Sequence, residues 1–468
     1  MPHSLRSFLE SIDNRVLHIH DEVDPINQVG ILCSESSGPL MLHNLKGFPG
    51  WRLTDILIKD RFGQAAALGV SDVTQVCPHL AQRMSNGAGK SVMVKDGPVK
   101  EIKMLGREVD LRKLPIPIHS HGDAGPYLGS GITITKDPET GVRNEAIIRM
   151  MVTDDPQKCT FWMAARHNYA HYKKYVEKGE PMPMAFAIGL HPIYEIMSNW
   201  SGKHQDFDEL EYAAGILGED IEMVECDTID LEVPAHAEIV IEGLVHPTDR
   251  EPEGPFGEFT NFGSGAEGPA PVFRITGITH RKDPIFRHMQ ATRFTDHQPL
   301  ITLPMEAAYY RRLQETHGNS KIIDVFVPPW ASQFMMIVQM EAKWDGQVRD
   351  VLMSALSGPN LHVKVAIAVD EDVDIYNAED VLWAISTRCN PENEVQIVPG
   401  SRPHPLDISI PRVGDDYTVM RIGGKIAIDA TKPATWREKE RADFTRVDPM
   451  GRHDQTLQKI LEQVRRPR

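Results

Sequence analysis

Two glutamates, Glu253 and Glu258, flank the short spacer Gly-Pro-Phe-Gly. Because two glycines and a proline disrupt a helix interior and a central strand, the spacer is predicted to be a stiff turn that fixes both acids. Two carboxyl groups held near each other can differ in pKa, so that one is ionised while the other stays protonated. That combination serves proton-transfer catalysis, whereas a solvated surface turn is the alternative for this segment taken alone.

A second group of polar residues, Asn144, His167 and Glu209, offers oxygen and nitrogen ligands without a thiolate. Such a set suits a fairly hard divalent ion such as Mn²⁺ or Mg²⁺ better than structural zinc. Each residue alone is more often a cap, a core histidine or a surface acid, so the grouping is a hypothesis. Arg149 follows Asn144 by five residues, which places the two side chains on opposite faces of a regular strand. A shared site would therefore need a bulge, or the two residues would bind different ligands.

The composition excludes several classes of protein. A chain of 468 residues is expected to form two or three domains, and a formal net charge of −16 argues against nucleic acid as a partner. We find no apolar run long enough for a membrane span and no secretory leader at the start of the sequence, which predicts a cytoplasmic protein. The five cysteines are scattered without a C-x-x-C pair, so they predict neither a disulfide framework nor a zinc site.

Hydrophobic patterns divide the chain into three regions, residues 1–110, 111–304 and 305–468. The first and last regions mix helical and strand-like runs, which is typical of α/β folds. The middle region has many short β-rich runs separated by turn residues, which favours an antiparallel barrel or sandwich interrupted by helices.

Several segments carry specific expectations. We expect helices at residues 4–12, 60–68 and 305–316, a buried strand at residues 30–33, and one continuous strand-like run at residues 146–152. An amphipathic helix at residues 455–464 is expected to pack either on another subunit or on its own chain.

The order and spacing of several motifs resemble those of the UbiD-type decarboxylases, the enzymes that use prenylated flavin mononucleotide (FMN). The motifs are Asp-Leu-Arg-Lys-Leu-Pro-Ile-Pro at 110–117, the segment 144–149, Glu-Gly-Pro-Phe-Gly-Glu at 253–258, Asp-Ile-Tyr at 374–376 and Asp-Val-Leu-Trp-Ala at 380–384. The resemblance runs through most of the chain. It implies a multidomain α+β fold with an N-terminal α/β region, a central split β-barrel that binds the flavin, and a C-terminal α/β oligomerisation domain with a terminal helix.

The resemblance also implies how the cofactor is held. Asn144, His167 and Glu209 match the ligands of a divalent ion, usually Mn²⁺, that clamps the flavin phosphate. A monovalent ion, K⁺ or Na⁺, would be held by Glu209 and by main-chain oxygens around Ser198, Asn199 and Ser201. The cofactor-binding set that it implies is Asn144, Ala146, Ile147, Ile148, Arg149, Arg166, His167 and Glu209. Some family members have Gln at the position of Arg166 and Lys at that of Glu379, so the phosphate surroundings are expected to differ here.

In the family, Arg149 and Glu253 match the pair beside the flavin ring, and Glu258 matches the proton donor. The implied reaction is a reversible, non-oxidative decarboxylation of an aromatic, heteroaromatic or α,β-unsaturated acid through a covalent adduct with the prenylated flavin. Pocket positions that hold Met or Phe in cinnamate-type members are Phe259 and Ile385 here, with His297 near the expected rim. The substrate class therefore does not transfer from those members.

The resemblance implies a flavin prenyltransferase as the supplier of the cofactor, and a homo-oligomer, either a dimer or a hexamer. Two other functions stay open. One is a flavin-binding subunit without catalysis; the other is a metal-dependent hydrolase that uses Glu253 and Glu258 with a metal-bound water.

Overall fold

The computed structural model describes residues 3–164, 166–200, 207–263, 268–292, 295–358, 360–411 and 422–447, together with residue 457. Within these residues the α-helices are α1 Leu5–Ser11, α2 Val29–Glu35, α3 Arg61–Leu68, α4 Val76–Arg83, α5 His167–Lys178, α6 Pro192–Met197, α7 Glu209–Leu217, α8 His297–Thr316, α9 Gln347–Leu356, α10 Ala378–Arg388, α11 Pro391–Glu394 and α12 Glu438–Ala442. The predicted helix at residues 455–464 lies outside the described residues, except for residue 457. No helix in the described part combines the length and the apolar character needed to cross a membrane.

The strands form four sheets in the described residues. They are β1 Leu17–Ile19, β2 Leu40–Leu42, β3 Arg52–Asp55, β4 Ser91–Met93, β5 Ile102–Leu105, β6 Tyr127–Leu128, β7 Ile132–Lys136, β8 Arg143–Ile147, β9 Met150–Val152, β10 Lys158–Thr160, β11 Met182–Ile188, β12 Ile221–Glu225, β13 Glu232–Pro234, β14 Ile239–Glu253, β15 Gly268–His280, β16 Ile285–Arg287, β17 Lys321–Phe326, β18 Met335–Glu341, β19 Val365–Val369, β20 Val395–Ser401 and β21 Gly423–Ala430.

The N-terminal region carries a four-stranded sheet in the order β1-β2-β3-β16. The helices predicted at residues 4–12 and 60–68 are confirmed as α1 and α3. The strand predicted at residues 30–33 is wrong, because these residues lie in α2. Gly30 and Cys33 are buried while Ile31 is 58% exposed, which is the spacing of a helix that buries one face.

The central sheet has nine strands in the order β6-β9-β10-β15-β14-β11-β7-β8, with β5 paired to β15. Every pairing in it is antiparallel. β8 stands at one end of this order and β9 lies near the other end, yet only two residues separate them. Because two residues bridge only roughly 10 Å, the sheet must curl until its ends approach each other, as in a half-barrel.

This curl corrects the expectation of one continuous strand at residues 146–152. β8 ends at Ile147 and β9 begins at Met150, with Ile148 and Arg149 in the gap. Arg149 therefore leaves the regular alternation of the strand, and the argument that it must face away from Asn144 does not apply.

The C-terminal sheet has the order β17-β18-β19-β21-β20. The inner pairs are parallel and the two edge strands are antiparallel to their neighbours. Helices cover the sheet, giving one hydrophobic cluster with α9 and another with α10. The whole chain is thus a multidomain fold of α and β elements.

The long helix α8 connects the central and C-terminal regions. It begins at His297, not at residue 305 as predicted from the sequence. Pro304 lies inside this helix, and it is buried among neighbouring helical residues. The predicted boundary between residues 304 and 305 therefore falls within a continuous helix, since tertiary packing tolerates a proline that the sequence pattern treats as a break.

Candidate active site

The Glu253–Glu258 segment is a turn at the end of β14, as predicted. Gly254 has φ of +90°, a conformation that favours glycine. Two hydrogen bonds tie the turn to a neighbouring loop: Gly257 N–H donates to Asp123 Oδ1 at 2.8 Å, and Ala124 N–H donates to the Pro255 carbonyl at 2.9 Å. Both glutamates are consequently fixed by backbone that is itself anchored.

Arg149 joins the two acids. Its Nε donates to Glu253 Oε1 at 3.0 Å, and its Nη2 donates to Glu253 Oε2 at 3.4 Å. Its Nη1 donates to Glu258 Oε1. The guanidinium side chain is 22% exposed, whereas the side chains of Glu253 and Glu258 are 4% and 9% exposed. The three residues predicted to act together therefore meet, and the arginine offers the most open face.

Glu253 and Glu258 differ in their contacts. Burial raises the pKa of Glu258, although the positive charge of Arg149 opposes that rise. Glu253 also accepts a hydrogen bond from the Tyr127 hydroxyl at 3.3 Å, and burial together with Glu253 raises the pKa of that phenol. The guanidinium lies 4.6 Å from the centre of the Phe256 ring. Glu253 thus accepts hydrogen bonds from Arg149 and Tyr127, while burial favours the protonated form of Glu258.

The sequence did not single out Tyr127 or Asp123. Both belong to the 120–128 segment, whose only signal is a cluster of glycines and a proline. Their role depends on contacts with residues more than a hundred positions away, which no local pattern reveals.

The predicted metal ligands gather around β8. Asn144 lies on β8, and His167 is the first residue of α5, with its Nδ1 3.1 Å from Asn144 Oδ1. Glu209 is the first residue of α7, and its carboxylate accepts a hydrogen bond at 2.8 Å from the backbone N–H of Glu145. Because Glu145 directly follows Asn144, all three candidate ligands border the same stretch of strand.

The donor atoms of these three residues suit a metal site. Burial lowers the pKa of His167, with a further contribution from the charge of Arg166, so the ring is neutral at pH 7. Burial raises the pKa of Glu209 to about 7. The Asn144 amide nitrogen donates to Asn168, which leaves the amide oxygen on the side of His167. An amide oxygen, a neutral imidazole and a carboxylate together fit a divalent ion such as Mn²⁺.

The other residues predicted to bind the cofactor lie on or next to β8 and just before α5. Ala146 and Ile147 lie on β8, where they pair with β7, and Ile148 lies in the gap beside Arg149. Arg166 is the residue just before α5.

The residues predicted around the monovalent ion lie at the end of α6. Ser198 Oγ donates to the Tyr194 carbonyl at 2.8 Å, and Asn199 Nδ2 donates to the Glu195 carbonyl at 2.9 Å. Helix α6 packs against α7, whose first residue is Glu209. Ser201 lies outside the described residues.

The candidate substrate pocket contains residues from two domains. The Phe259 ring centre is 6.1 Å from that of His297 and 5.7 to 6.0 Å from those of three residues of the C-terminal region, which the sequence did not single out: Phe334, His362 and His404. Burial and the charge of Arg149 lower the pKa of His297 to about 4, so this ring is neutral at pH 7. Its Nδ1 has no hydrogen-bond partner among the described residues.

Ile385 lies elsewhere. It is on α10, within the cluster that covers the C-terminal sheet, together with Val381 and Ala384. The contacts described for Phe259 and His297 do not include it, so its role in the pocket stays a prediction from sequence.

Comparison with known proteins identifies the family. Residues 90–293 match the 3-octaprenyl-4-hydroxybenzoate carboxy-lyase Rift-related domain, and residues 298–430 match the C-terminal domain of the same enzymes. The chain belongs to the UbiD family. It is therefore a carboxy-lyase of the decarboxylase type, and the resemblance seen in the sequence motifs is confirmed.

Relatives within the UbiD family cover nearly the whole chain. Anhydromevalonate phosphate decarboxylase of Methanosarcina mazei is 30% identical over 92% of this chain and 96% of its own length. The enzyme of the same name from Methanothermobacter thermautotrophicus is 32% identical over 93% and 98%. Among solved structures, the UbiD-class enzyme HmfF from Pelotomaculum thermopropionicum in complex with FMN matches with a TM-score of 0.87 and 32% identity, over 96% of this chain and 98% of that one. An evolved dimeric form of HmfF in complex with prenylated FMN matches with a TM-score of 0.83.

Proposed function

We propose that this chain is a prenylated-FMN-dependent decarboxylase that acts on an aromatic, heteroaromatic or α,β-unsaturated carboxylic acid. The observation that carries the proposal is Arg149 bridging Glu253 and Glu258, with the side chain of Arg149 the most exposed of the three. A guanidinium recognises a carboxylate, and an acid beside it supplies the proton that replaces CO₂.

The residues present fit the cofactor and its ions. Asn144, His167 and Glu209 would hold Mn²⁺ or a similar ion against the flavin phosphate, and their donor atoms and their position around β8 support that role. The end of α6, at Ser198 and Asn199, would hold K⁺ or Na⁺ beside Glu209. When bound, the prenylated flavin supplies the electron sink that protein side chains lack.

Arg149 has a dual role in this proposal. Glu253 takes its Nε and Nη2, which fixes the plane of the guanidinium, and Nη1 is directed at Glu258. Protonation of Glu258 removes the charge that attracts Nη1, so this donor becomes free for the carboxylate of the substrate. The raised pKa of Glu258 favours that protonated state.

Glu258 then acts as the general acid. Loss of CO₂ leaves an electron pair on the substrate carbon, and Glu258 transfers its proton to that carbon to form the C–H bond of the product. Solvent returns a proton to Glu258, so the net reaction consumes one proton and releases one CO₂. Since no redox or ATP step is involved, a high concentration of CO₂ reverses the reaction.

The substrate specificity resides in the pocket around Phe259. His297 is neutral and has an unsatisfied Nδ1, so it would form a hydrogen bond with a ring substituent or heteroatom of the substrate. The two archaeal relatives make anhydromevalonate phosphate the first unsaturated acid to test, beside phenolic and heteroaromatic acids.

The domain roles belong to the same proposal. The curled sheet within residues 111–304 would be the split barrel that binds the flavin, and residues 305–468 would form the oligomerisation domain of a cytoplasmic dimer or hexamer. A flavin prenyltransferase would supply the cofactor.

Co-expression tests the proposal and separates it from its rivals. The protein is purified from cells with and without a flavin prenyltransferase, and the ultraviolet-visible spectrum, the metal content and CO₂ release from a panel of acids are measured. We expect a flavin spectrum, Mn²⁺ and activity only with the prenyltransferase. Bound flavin without turnover of any acid would favour a binding subunit, and hydrolytic activity without flavin would favour the metal-dependent hydrolase.

A further inference from the structure

A compact group of potential metal ligands includes none of the residues assigned to the flavin site. One ligand atom each from Cys33, Asp55 and His288 lies within 4.8 Å of the other two, and all three residues are buried. Asp55 Oδ2 is 2.8 Å from His288 Nδ1, and Cys33 Sγ is 3.8 Å from the same nitrogen. The three residues come from α2, from the end of β3 and from the residue after β16.

The charges around this cluster do not balance. Arg287 is completely buried and contacts three buried carboxylates: Asp55 at 3.1 Å, Glu195 at 3.1 Å and Asp296 at 2.7 Å. Among the groups in contact there, one cation faces three acids, which leaves an excess of two negative charges if all are ionised. Burial raises the pKa of Glu195 to about 7, against the pull of Arg287. Uncompensated charge in such an interior is costly and calls for a further cation or proton.

Two buried imidazole rings with unpartnered nitrogens occur at and beside this cluster. Neither ring nitrogen of His119 has a partner among the described residues, nor does Nε2 of His288. The two rings are 4.9 Å apart between centres. Burial keeps the pKa of His119 well below its ordinary value, so this ring adds no positive charge beside the cluster. Buried polar atoms without partners mark a group that the side chains alone do not satisfy.

We propose that Cys33, Asp55 and His288 bind a structural Zn²⁺ ion. A thiolate, an imidazole and a carboxylate are all ligands of Zn²⁺ in proteins, and their burial suits a structural site. The ion would displace the thiol proton of Cys33, so that Zn²⁺ enters, H⁺ leaves, and the region gains one positive charge. Arg287 would then hold the other oxygen of Asp55 and orient this ligand.

The site would tie the N-terminal region to the sheet strand that leads to the substrate pocket. Asp296, which contacts Arg287, immediately precedes His297. In a metal-free cluster the same atoms would form ordinary hydrogen bonds, and a protonated Glu195 would reduce the excess negative charge. Metal content and the spectrum of a thiolate-bound metal distinguish the two.

The test uses the full-length holoenzyme. We expect about one zinc ion per chain to resist dialysis against EDTA, because a buried site exchanges slowly. Protein produced in cobalt-supplemented medium should show a thiolate-to-cobalt charge-transfer band in the near ultraviolet. The flavin-side ion is held without a thiolate, so it does not contribute this band.

Two serine variants test whether Cys33 is the thiolate ligand that gives the cobalt band. The cobalt band should disappear in Cys33→Ser and persist in Cys159→Ser, which removes an equally buried cysteine outside the cluster. Wild-type protein with native circular dichroism but without retained zinc or a cobalt band would overturn the proposal, even if Cys33→Ser fails to fold. A band that survives in folded Cys33→Ser would also overturn it.

Discussion

Two arginines of this chain lie among carboxylates, and they differ in access to solvent. Arg149 contacts Glu253 and Glu258, and its side chain is 22% exposed. Arg287 contacts three acids and is completely buried. The chemistry of the groups is the same in both places, but only the first can meet a substrate.

The difference in exposure predicts that Arg149 serves catalysis and that Arg287 serves stability. At the half-open site, the guanidinium can exchange a protein carboxylate for a substrate carboxylate without stranding a buried charge. At the closed site, two of the three carboxylate partners of Arg287 are held by further groups. Asp296 accepts hydrogen bonds from the N–H groups of Leu57 and Ile58, and Asp55 Oδ1 accepts one from the N–H of Ile56. We therefore expect substitutions at the two arginines to affect different quantities.

The largest expected effect is on stability, at the buried arginine. Arg287→Met leaves three buried carboxylates without their cation, so it should lower the free energy of unfolding by about 3–5 kcal/mol. Urea titration monitored by circular dichroism measures this loss. The matched control is Arg112→Met, whose solvent-exposed ion pair with Asp110 should contribute little to stability. Equal losses of unfolding free energy in Arg287→Met and Arg112→Met would contradict the distinction between the buried and the exposed arginine.

Arg149→Met should lower activity more than stability, the reverse of what we expect for Arg287→Met. We expect CO₂ release to fall by at least about 100-fold, since the positioned cation that orients the substrate carboxylate is lost. The melting temperature should fall less than in Arg287→Met, because one buried carboxylate, Glu253, loses its cation and Glu258 can become protonated beside the new side chain. Arg149→Lys serves as the control that keeps the charge but loses the fork of donors, and it should recover only part of the activity. Wild-type activity in Arg149→Met would exclude the proposed role.

The pH dependence follows from the direction of the Glu258 shift. Burial raises the pKa of Glu258, so its acid form persists to higher pH than in an ordinary glutamate. Catalysis needs this acid form, so kcat should be retained below the raised pKa and lost as the pH rises through it. A pH–rate profile at saturating substrate and constant flavin content measures the effect. A kcat that instead rises across this limb would assign the opposite protonation state to Glu258.

Tyr127→Phe should have the smallest effect. It removes one hydrogen bond to Glu253, while Arg149 continues to hold that carboxylate. We expect a loss of about 1 kcal/mol or less in transition-state stabilisation, seen as a few-fold decrease in kcat/KM. A loss as large as that in Arg149→Met would show that the phenol takes part in the chemistry.

The sequence predicted the features that depend on local rules. Glycine and proline at 253–258 indicated the turn, and the helix predicted at residues 60–68 is capped by Asp60, which accepts a hydrogen bond from the N–H of Gly63. It failed where long-range packing decides. The residues at 30–33 are apolar enough for a strand but form a helix with one exposed face, and Pro304 is accommodated inside α8.

In the candidate site, too, the local motifs could be predicted from the sequence and the long-range contacts could not. The family motifs indicated Arg149, Glu253 and Glu258, but the gap between β8 and β9 that directs Arg149 exists only because the sheet curls. His362 and His404 were hidden among twenty histidines, since their proximity to Phe259 depends on the packing of two domains. Scattered cysteines predicted no zinc site, yet Cys33 and His288 meet across 255 positions.

Glu258→Gln provides the most direct test of the central claim that Glu258 is the proton donor beside Arg149. The variant is co-expressed with a flavin prenyltransferase, and CO₂ release per bound flavin is compared with that of the wild type. We predict an unchanged flavin spectrum and metal content with turnover reduced by on the order of 10²–10⁴-fold. Turnover within a few-fold of the wild type at equal flavin content would contradict the account.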